Sequence, residues 1–370
     1  MIDLGIGQPN NAILPVDYVR RAAAMQFTDS PEFLQYGAEW GDGHHRVALG
    51  EFLTEAYGIP VGAEQLFSTN GNSQALDMLC TMLTEPGDVV IVEEPTYFLA
   101  FQMFRDHGLE IRGVPIDTDG LVVYALIDEI SLLRAAGKRI AFVYTIPAFQ
   151  NPTGVTMSAQ RRLDLVTAAA DNDVLIVADE VYHLLRFAPG SMPPSMSAYV
   201  DEGPILSIGT FSKILAPGMR LGWIHGSVDR LAAFADSGLI LSGGGLNPVT
   251  SSLATAMMRM GWQQEYLEWL RALFAQRSAT MIAALRQHMP EWVDYDEPGG
   301  GYFVWLRLPL NVDGAALRSL GKEHGVDVRH GAQFSPTGAL ANHLRLSYAF
   351  YDDADIAEGV ARLGAALRGA

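Results

Sequence analysis

The sequence predicts an α/β protein: a large domain built on a mostly parallel sheet, with a smaller α+β domain. Three observations point there. Between about residues 65 and 226 a short β-rich run, a glycine or proline turn and a helical pattern recur in that order, as expected for parallel strands covered by helices. Beyond about residue 250 the texture changes to long helical stretches, then separate strands and a closing helix. Finally, 370 residues exceed the roughly 250–300 at which a single hydrophobic core usually divides, so two domains are expected.

Taken in chain order, Val89 to Glu93, Ile140 to Thr145, Val174 to Asp179, Ile205 to Gly209 and Leu221 to His225 read as strands. Ser158 to Ala170 and Val228 to Ala235 read as helices between or after them. In the smaller domain Gly301 to Leu308, Val326 to His330 and Leu344 to Ala349 read as strands, and Asp353 to Leu367 as the closing helix. There is no repeat at a solenoid period and no low-complexity tract, so the whole length is expected to fold.

Composition narrows the function. The chain is 49% hydrophobic and 18% charged, against roughly 25% charged in typical soluble domains, which marks a core-rich globular protein. A net charge of −17 gives a surface that repels phosphate backbones and argues against a nucleic-acid partner. One cysteine makes neither an internal disulfide nor a four-thiolate metal site, and Cys80, in the apolar run Asp77 to Leu83, reads as a core thiol. A reducing, cytoplasmic location follows. The N-terminus carries Asp3 and no basic residue before Arg20, the wrong charge order for a targeting signal. The longest uncharged stretch, Ser237 to Met258, contains Pro248 and four glycines and makes a poor bilayer helix, so no membrane partner is expected.

In an open α/β sheet, ligands sit outside the carboxyl ends of the strands, which directs attention to the polar residues after each apolar run. These are Gln150-Asn151-Pro152-Thr153-Gly154, Asp179-Glu180-Val181-Tyr182 and Thr210-Phe211-Ser212-Lys213. An amide, a carboxylate and a lysine thus share one edge. A lysine beside apolar residues ordinarily snorkels to solvent; one desolvated beside another cation, here Arg220, loses basicity and becomes a nucleophilic amine for a carbonyl. Other motifs are incomplete. Gly71-Asn72-Ser73-Gln74-Ala75 lacks the last glycine of a serine-nucleophile elbow, His44-His45 lacks metal-ligand spacing, and Gly5-x-Gly7 lacks the third dinucleotide-loop glycine.

Along nearly the whole chain stand Gly5-Ile6-Gly7-Gln8-Pro9, Tyr36-Gly37, Thr69 to Leu76, Pro86-Gly87-Asp88, Glu94-Pro95-Thr96-Tyr97, Gln150 to Gly154, Asp179 to Tyr182, Ser207 to Gly222, Gly299 to Phe303 and Arg345-Leu346-Ser347. In their order and spacing the chain resembles the fold-type I pyridoxal-phosphate enzymes, in particular the class I/II aminotransferases. The resemblance implies an aspartate aminotransferase-like fold, with residues 41–280 as the large cofactor-binding domain and 1–40 with 281–370 as the small one. It implies pyridoxal 5'-phosphate as cofactor, amino acids and 2-oxo acids as substrates, and a homodimer.

The residue roles come with the resemblance, and each has a chemical reason. Lys213 holds the cofactor aldehyde in a Schiff base and then shuttles the α-proton. A phosphate needs N–H donors and a fixed cation, which Gly71-Asn72-Ser73 at a helix start, Thr210, Ser212 and Arg220 would supply; an ordinary N-cap is the plainer reading of Asn72 and Ser73. Asp179 keeps the ring nitrogen protonated, so that the ring draws electrons from the substrate carbon; a helix cap is its plainer reading. Asn151 and Tyr182 hydrogen-bond the ring oxygen, Tyr97 stacks on the ring, and Tyr36 reaches the phosphate of the neighbouring subunit. Arg345, an otherwise costly charge among apolar neighbours, grips the substrate α-carboxylate beside Gly7 and Asn151, with an internal carboxylate as its plainer partner. Ile6, Trp40, Phe149 and Tyr302 are expected near the substrate side chain, and no second arginine announces a dicarboxylic substrate. Almost nothing precedes the strand matching Asp3 to Gly7, so closure over substrate is expected to differ from the family's. A carbon–sulfur lyase is the enzymatic alternative to transamination. A ligand-sensing domain is the non-enzymatic one, disfavoured because no basic N-terminal region is seen.

Overall fold

The computed structural model describes residues 1–29 and 31–368. A short strand β1 (Ile2–Asp3) is followed by helices α1 (Val16–Asp29) and α2 (Gly43–Tyr57). The large sheet takes β2 (Leu66–Thr69), β3 (Val89–Glu94), β4 (Glu110–Asp117), β5 (Gly120–Leu121), β6 (Ile140–Thr145), β7 (Leu175–Asp179), β8 (Ile205–Thr210) and β9 (Gly222–His225). Among these strands run α3 (Asn72–Leu83), α4 (Phe98–Asp106), α5 (Val123–Ala135) and α6 (Ala159–Asp171). Then come α7 (Val228–Ala235), α8 (Gly238–Gly243), α9 (Pro248–Arg259) and the long α10 (Trp262–His288). The remainder holds β10 (Asp294–Tyr295), β11 (Phe303–Arg307), α11 (Gly314–Glu323), β12 (Val326–Asp327), β13 (Arg329–His330), β14 (His343–Ser347) and α12 (Asp353–Arg368).

The eight-stranded sheet runs β2-β9-β8-β7-β6-β3-β4-β5, and its centre, from β4 through β8, is parallel. Its central strands β3, β6, β7 and β8 are largely apolar because both their faces are buried. Val90, Val92, Phe142, Tyr144, Val177, Leu206 and Ile208 enter one core, while Val89, Ile91, Val143, Ile176, Ala178 and Ile205 enter the other. Alternation along each strand therefore sorts side chains between two helix layers. The run expected at Leu221 to His225 is a strand, but it lies antiparallel to β8. The reason is the connection. Residues 211–221 are too short to make the crossover of a dozen or more residues that a parallel return needs.

The second sheet, β10-β11-β14-β13, is antiparallel. The single run expected at Val326 to His330 divides at Val328: β12 pairs with β1, placing Asp327 beside Asp3, whereas β13 pairs with β14, placing Arg329 opposite Arg345. The N-terminal strand is thereby built into the C-terminal part of the molecule. Cys80 is buried, and that burial pushes its thiol up to about 12, leaving it an inert core residue.

Candidate active site

The carboxyl ends of β6, β7 and β8 open into a cavity of about 550 Å³, whose far wall is formed by Gly5-Ile6-Gly7 and by Phe303, Arg329 and Arg345 of the smaller sheet. Asp179, the last residue of β7, lies deep in it and is 6% exposed. Its Oδ2 accepts from the Tyr144 hydroxyl at 2.7 Å and its Oδ1 from the Asn72 amide at 2.6 Å. Desolvation raises this carboxyl from 3.8 to about 6, against the pull of those two hydrogen bonds and the more distant Lys213 charge.

Asn72 opens α3 after Gly71, whose φ of 83° lies in the region that favours glycine. No side chain caps this helix, so the plain N-cap reading of Asn72 and Ser73 does not hold: the Asn72 amide serves Asp179, and the first-turn N–H groups keep no side-chain acceptor. The Asn72 Oδ1 is itself buried without a partner.

Lys213 stands in the β8–β9 connection, half-buried, its ammonium donating to the Gly7 carbonyl at 2.9 Å and lying 5.4 Å from the Tyr302 ring. Desolvation, then the charge of Arg345 and to a lesser degree that of Arg220, bring it from 10.5 down to about 8, while Asp179 resists the change. The expected depression is present, but Arg345 outweighs the Arg220 that the sequence suggested. The same connection holds Arg220 in a left-handed conformation, φ 46°. Its guanidinium donates to the carbonyls of Asn70, at 3.1 Å, and Pro217, at 3.4 Å, and makes no ion pair with a carboxylate among the described residues. The Thr210 hydroxyl donates to Leu221 O at 3.1 Å, lies 3.0 Å from the Ser212 hydroxyl and accepts from the Ser212 amide.

A helix N-terminus, two hydroxyls and a guanidinium free of carboxylates therefore line one end of the cavity. A hydrogen-bonded carboxylate and a weakened lysine lie further in. The donor set fits the phosphate, ring nitrogen and aldehyde of pyridoxal phosphate, and the orphaned Asn72 oxygen lies within the same cavity wall.

Arg345 is 3% exposed, flanked by the Phe303 and Phe334 rings at 4.1 and 5.0 Å. Its Nη1 donates to Asn151 Oδ1 at 2.8 Å and its Nη2 to Gly5 O at 2.7 Å, while Nε is buried without a partner. No internal carboxylate pairs with it among the described residues, so the plainer partner is excluded. Burial first, then the neighbouring Arg329 charge, bring it down to about 10, with Tyr182 opposing. Burial raises the Tyr182 phenol, and its hydrogen bond with Asn151 and the charge of Arg345 oppose that rise.

Gly7, Asn72, Ser73, Tyr97, Asn151, Asp179, Tyr182, Thr210, Ser212, Lys213, Arg220 and Arg345 all line the cavity. Gly71 sits behind Arg220, where a Cβ would come within 3.1 Å of the guanidinium. Tyr36 is apart from these residues and 82% exposed. Of the four residues expected near the substrate side chain, only Ile6 lines the cavity. Trp40 packs against Phe67, Phe149 fills the space over Gly300 and Gly301, and the buried Tyr302 donates to the Lys213 carbonyl at 3.3 Å. Among the polar and charged lining residues, the sequence singles out neither Tyr144 nor Arg329. The first was legible only as one more apolar position of β6, and the second depends on a strand pairing that no local pattern displays.

The family model for aminotransferase class I and II matches residues 1–363. An aromatic-amino-acid aminotransferase of Thermococcus litoralis is 33% identical over 371 residues, covering 100% of this chain and 88% of its own. A 2-aminoadipate transaminase of Thermus thermophilus is 32% identical, covering 98% of this chain and 89% of its own. The crystal structure of Pyrococcus horikoshii kynurenine aminotransferase with PMP superposes with a TM-score of 0.93 at 31% identity, over 100% of this chain and 91% of that one.

Proposed function

The chain belongs to the class I and II aminotransferases and is a pyridoxal-phosphate-dependent transaminase, and we propose how its residues divide the work of moving an amino group from an amino acid to a 2-oxo acid. When bound, pyridoxal phosphate supplies the aldehyde that takes up the amino group and the ring that draws electron density from the substrate α-carbon. Thr210, Ser212, Arg220 and the first turn of α3, from Gly71 through Ser73, would hold the phosphate. Asp179, itself positioned by Tyr144 and Asn72, would face the ring nitrogen. Tyr97 would cover the ring face, and Asn151 and Tyr182 its oxygen.

The Lys213 amine would hold the cofactor aldehyde before substrate arrives. Freed by substrate, its Nζ would accept the α-proton and release it again within the same site, a task suited to a nitrogen whose pKa is lowered to about 8. Arg345 presents a planar fork to the substrate carboxylate, with Gly7 and Asn151 at its side. The observation that carries this reading is the shared cavity, lined together by a buried carboxylate at the end of β7, a desolvated lysine in the β8–β9 connection and a guanidinium without a carboxylate of its own. Residues 41–280 would form the cofactor-binding domain and 1–40 with 281–370 the small one. Tyr36, exposed in the single chain, would complete the site of a second subunit in a homodimer. No helix among the described residues is long and apolar enough to cross a membrane, and a single buried cysteine suits a reducing, cytoplasmic compartment.

The test has two arms. Borohydride treatment of the cofactor-loaded protein is expected to leave a covalent label on Lys213 by peptide mass spectrometry. A panel of amino acids is expected to convert the yellow cofactor to its amine form with release of 2-oxo acid. An unlabelled Lys213 removes the assignment of that residue. A labelled protein that no amino acid converts removes transamination while sparing cofactor binding.

A further inference from the structure

Of the charged residues lining the cavity, Asp179, Lys213, Arg220 and Arg345 have tasks in transamination and Arg329 has none. It lies on β13 directly opposite Arg345 on β14, so the two side chains share one face of the sheet, and both line the cavity. Like charges in directly opposed positions repel unless an anion lies between or beside them. The two guanidinium groups also flank one residue: Arg345 donates to the Gly5 carbonyl at 2.7 Å, while the Arg329 side chain lies over Gly5, where a Cβ would stand 3.0 Å from its Cγ and Cζ.

The carboxylates beside Arg329 have other commitments. Asp327 is held bidentately by Arg318 at 2.6 and 3.0 Å, accepts from the Val328 amide and has Lys322 at 3.7 Å; Arg329 stands 3.6 Å away. Asp3 accepts from the Gly5 amide at 2.8 Å through Oδ1, leaving Oδ2 to meet Arg329 at 3.4 Å. Two carboxylates thus face Arg318, Lys322 and Arg329, with Arg345 alongside, and neither contact with Arg329 is a short bidentate one. Its side chain keeps 23% of its surface open and lines the same cavity as Arg345.

We propose that Arg329 is a specificity residue that pairs with a second acidic group, so that the preferred substrates are amino and 2-oxo acids with a carboxylate on the side chain. Arg345 takes the α-carboxylate and Arg329 the distal one, and two separate anions relieve the repulsion between the cross-strand pair. The sequence showed no second arginine for this task because the pairing of β13 with β14 is what brings it into the cavity. The inference rests on the aminotransferase reading.

The experiment compares wild type, Arg329→Gln and Arg329→Lys as holoenzymes, reading kcat/KM for glutamate and for norvaline, whose apolar side chain has the same carbon chain without the carboxylate oxygens. Calorimetry on the same proteins reads the affinity of glutarate and of pentanoate. Wild type is expected to bind glutarate roughly tenfold or more tightly than pentanoate, and Arg329→Gln to lower the glutamate-to-norvaline ratio by roughly 10–100-fold, since a charged hydrogen-bond partner is lost in a desolvated site. Arg329→Lys is expected to keep part of that ratio, the charge being retained without the fork. A ratio that stays within about threefold in Arg329→Gln overturns the proposal. So does equal binding of glutarate and pentanoate by wild type, which needs no variant to fold. Failure of the aminotransferase reading looks different: neither amino acid converts the cofactor, while the preference for glutarate is still measured.

Discussion

Lys213 and Asp179 face opposite consequences of the same burial. Desolvation lowers the lysine from 10.5 to about 8 and raises the aspartate from 3.8 to about 6. For Lys213 the unfolded chain binds more protons than the folded one between about pH 8 and 10.5, so its charge costs stability most fully below pH 8, and the cost fades as pH rises through that window. In the cofactor-free protein Lys213→Met is therefore expected to raise unfolding free energy at pH 7 by up to about 3 kcal/mol, and by progressively less toward pH 10. The same variant, supplied with cofactor, is expected to lose more than about 10³-fold in kcat. Urea unfolding at the two pH values and a single kinetic assay check both, and a gain that does not shrink with pH contradicts the desolvation account. Tyr144 acts on the same site through Asp179. Its hydroxyl bond holds the carboxyl down, so Tyr144→Phe is expected to move the acid limb of the kcat/KM profile upward by roughly one pH unit, with a smaller effect on kcat above pH 8. An unmoved limb would leave Tyr144 a packing residue.

The β8–β9 connection and the start of α3 show what an element contributes beyond its residues. Because residues 211–221 turn back antiparallel instead of crossing over, Lys213 and Arg220 are held in one loop above the strand ends, and Gly71 packs beneath the guanidinium. Gly71→Ala is expected to cost about 1–2 kcal/mol of backbone strain and to push Arg220 aside, so that cofactor is lost faster on dialysis. Gly58→Ala is the control: φ there is 70° and nothing lies within 4 Å, so stability is expected to fall comparably while cofactor retention holds. Equal retention in both variants would show that the cup does not depend on Gly71. The same elements explain what the sequence displays. Strands β3, β6, β7 and β8 are legible because both their faces are buried and nearly every residue is apolar. β2 is only four residues long, and β4 mixes buried with exposed positions and carries Gly113 and Pro115, so neither stands out. Lys213, Asp179 and Arg345 are legible because each places a charge at the end of, or inside, an apolar run. Tyr144 and Arg329 are not, because their direction is set by strand parity and by which strand lies next door.

A single chain also leaves a surface that its own core does not explain. Leu34 and Tyr36 are 69% and 82% exposed, Leu239 and Leu241 of α8 are 58% and 61% exposed, and the Gly37–Gly245 bridge ties the segments that carry them together. Exposed apolar side chains grouped in this way mark an interaction surface. In a symmetric dimer one patch meets its own copy, and a Tyr36 that serves the neighbouring cavity then makes each site a joint product of two chains. That arrangement has an arithmetic consequence. In a dimer of one Lys213→Met chain and one Tyr36→Ala chain, one site carries both lesions, and the other combines an intact Lys213 with an intact Tyr36. If the two variants associate at random, half the dimers are mixed and each has one good site of two, so co-expression is expected to restore about a quarter of wild-type activity at limiting cofactor. A Tyr36 acting within its own chain would give only the average of the two separate variants. Activity of the co-purified, doubly tagged dimer separates these outcomes, because recovery above that average requires both chains at one cavity.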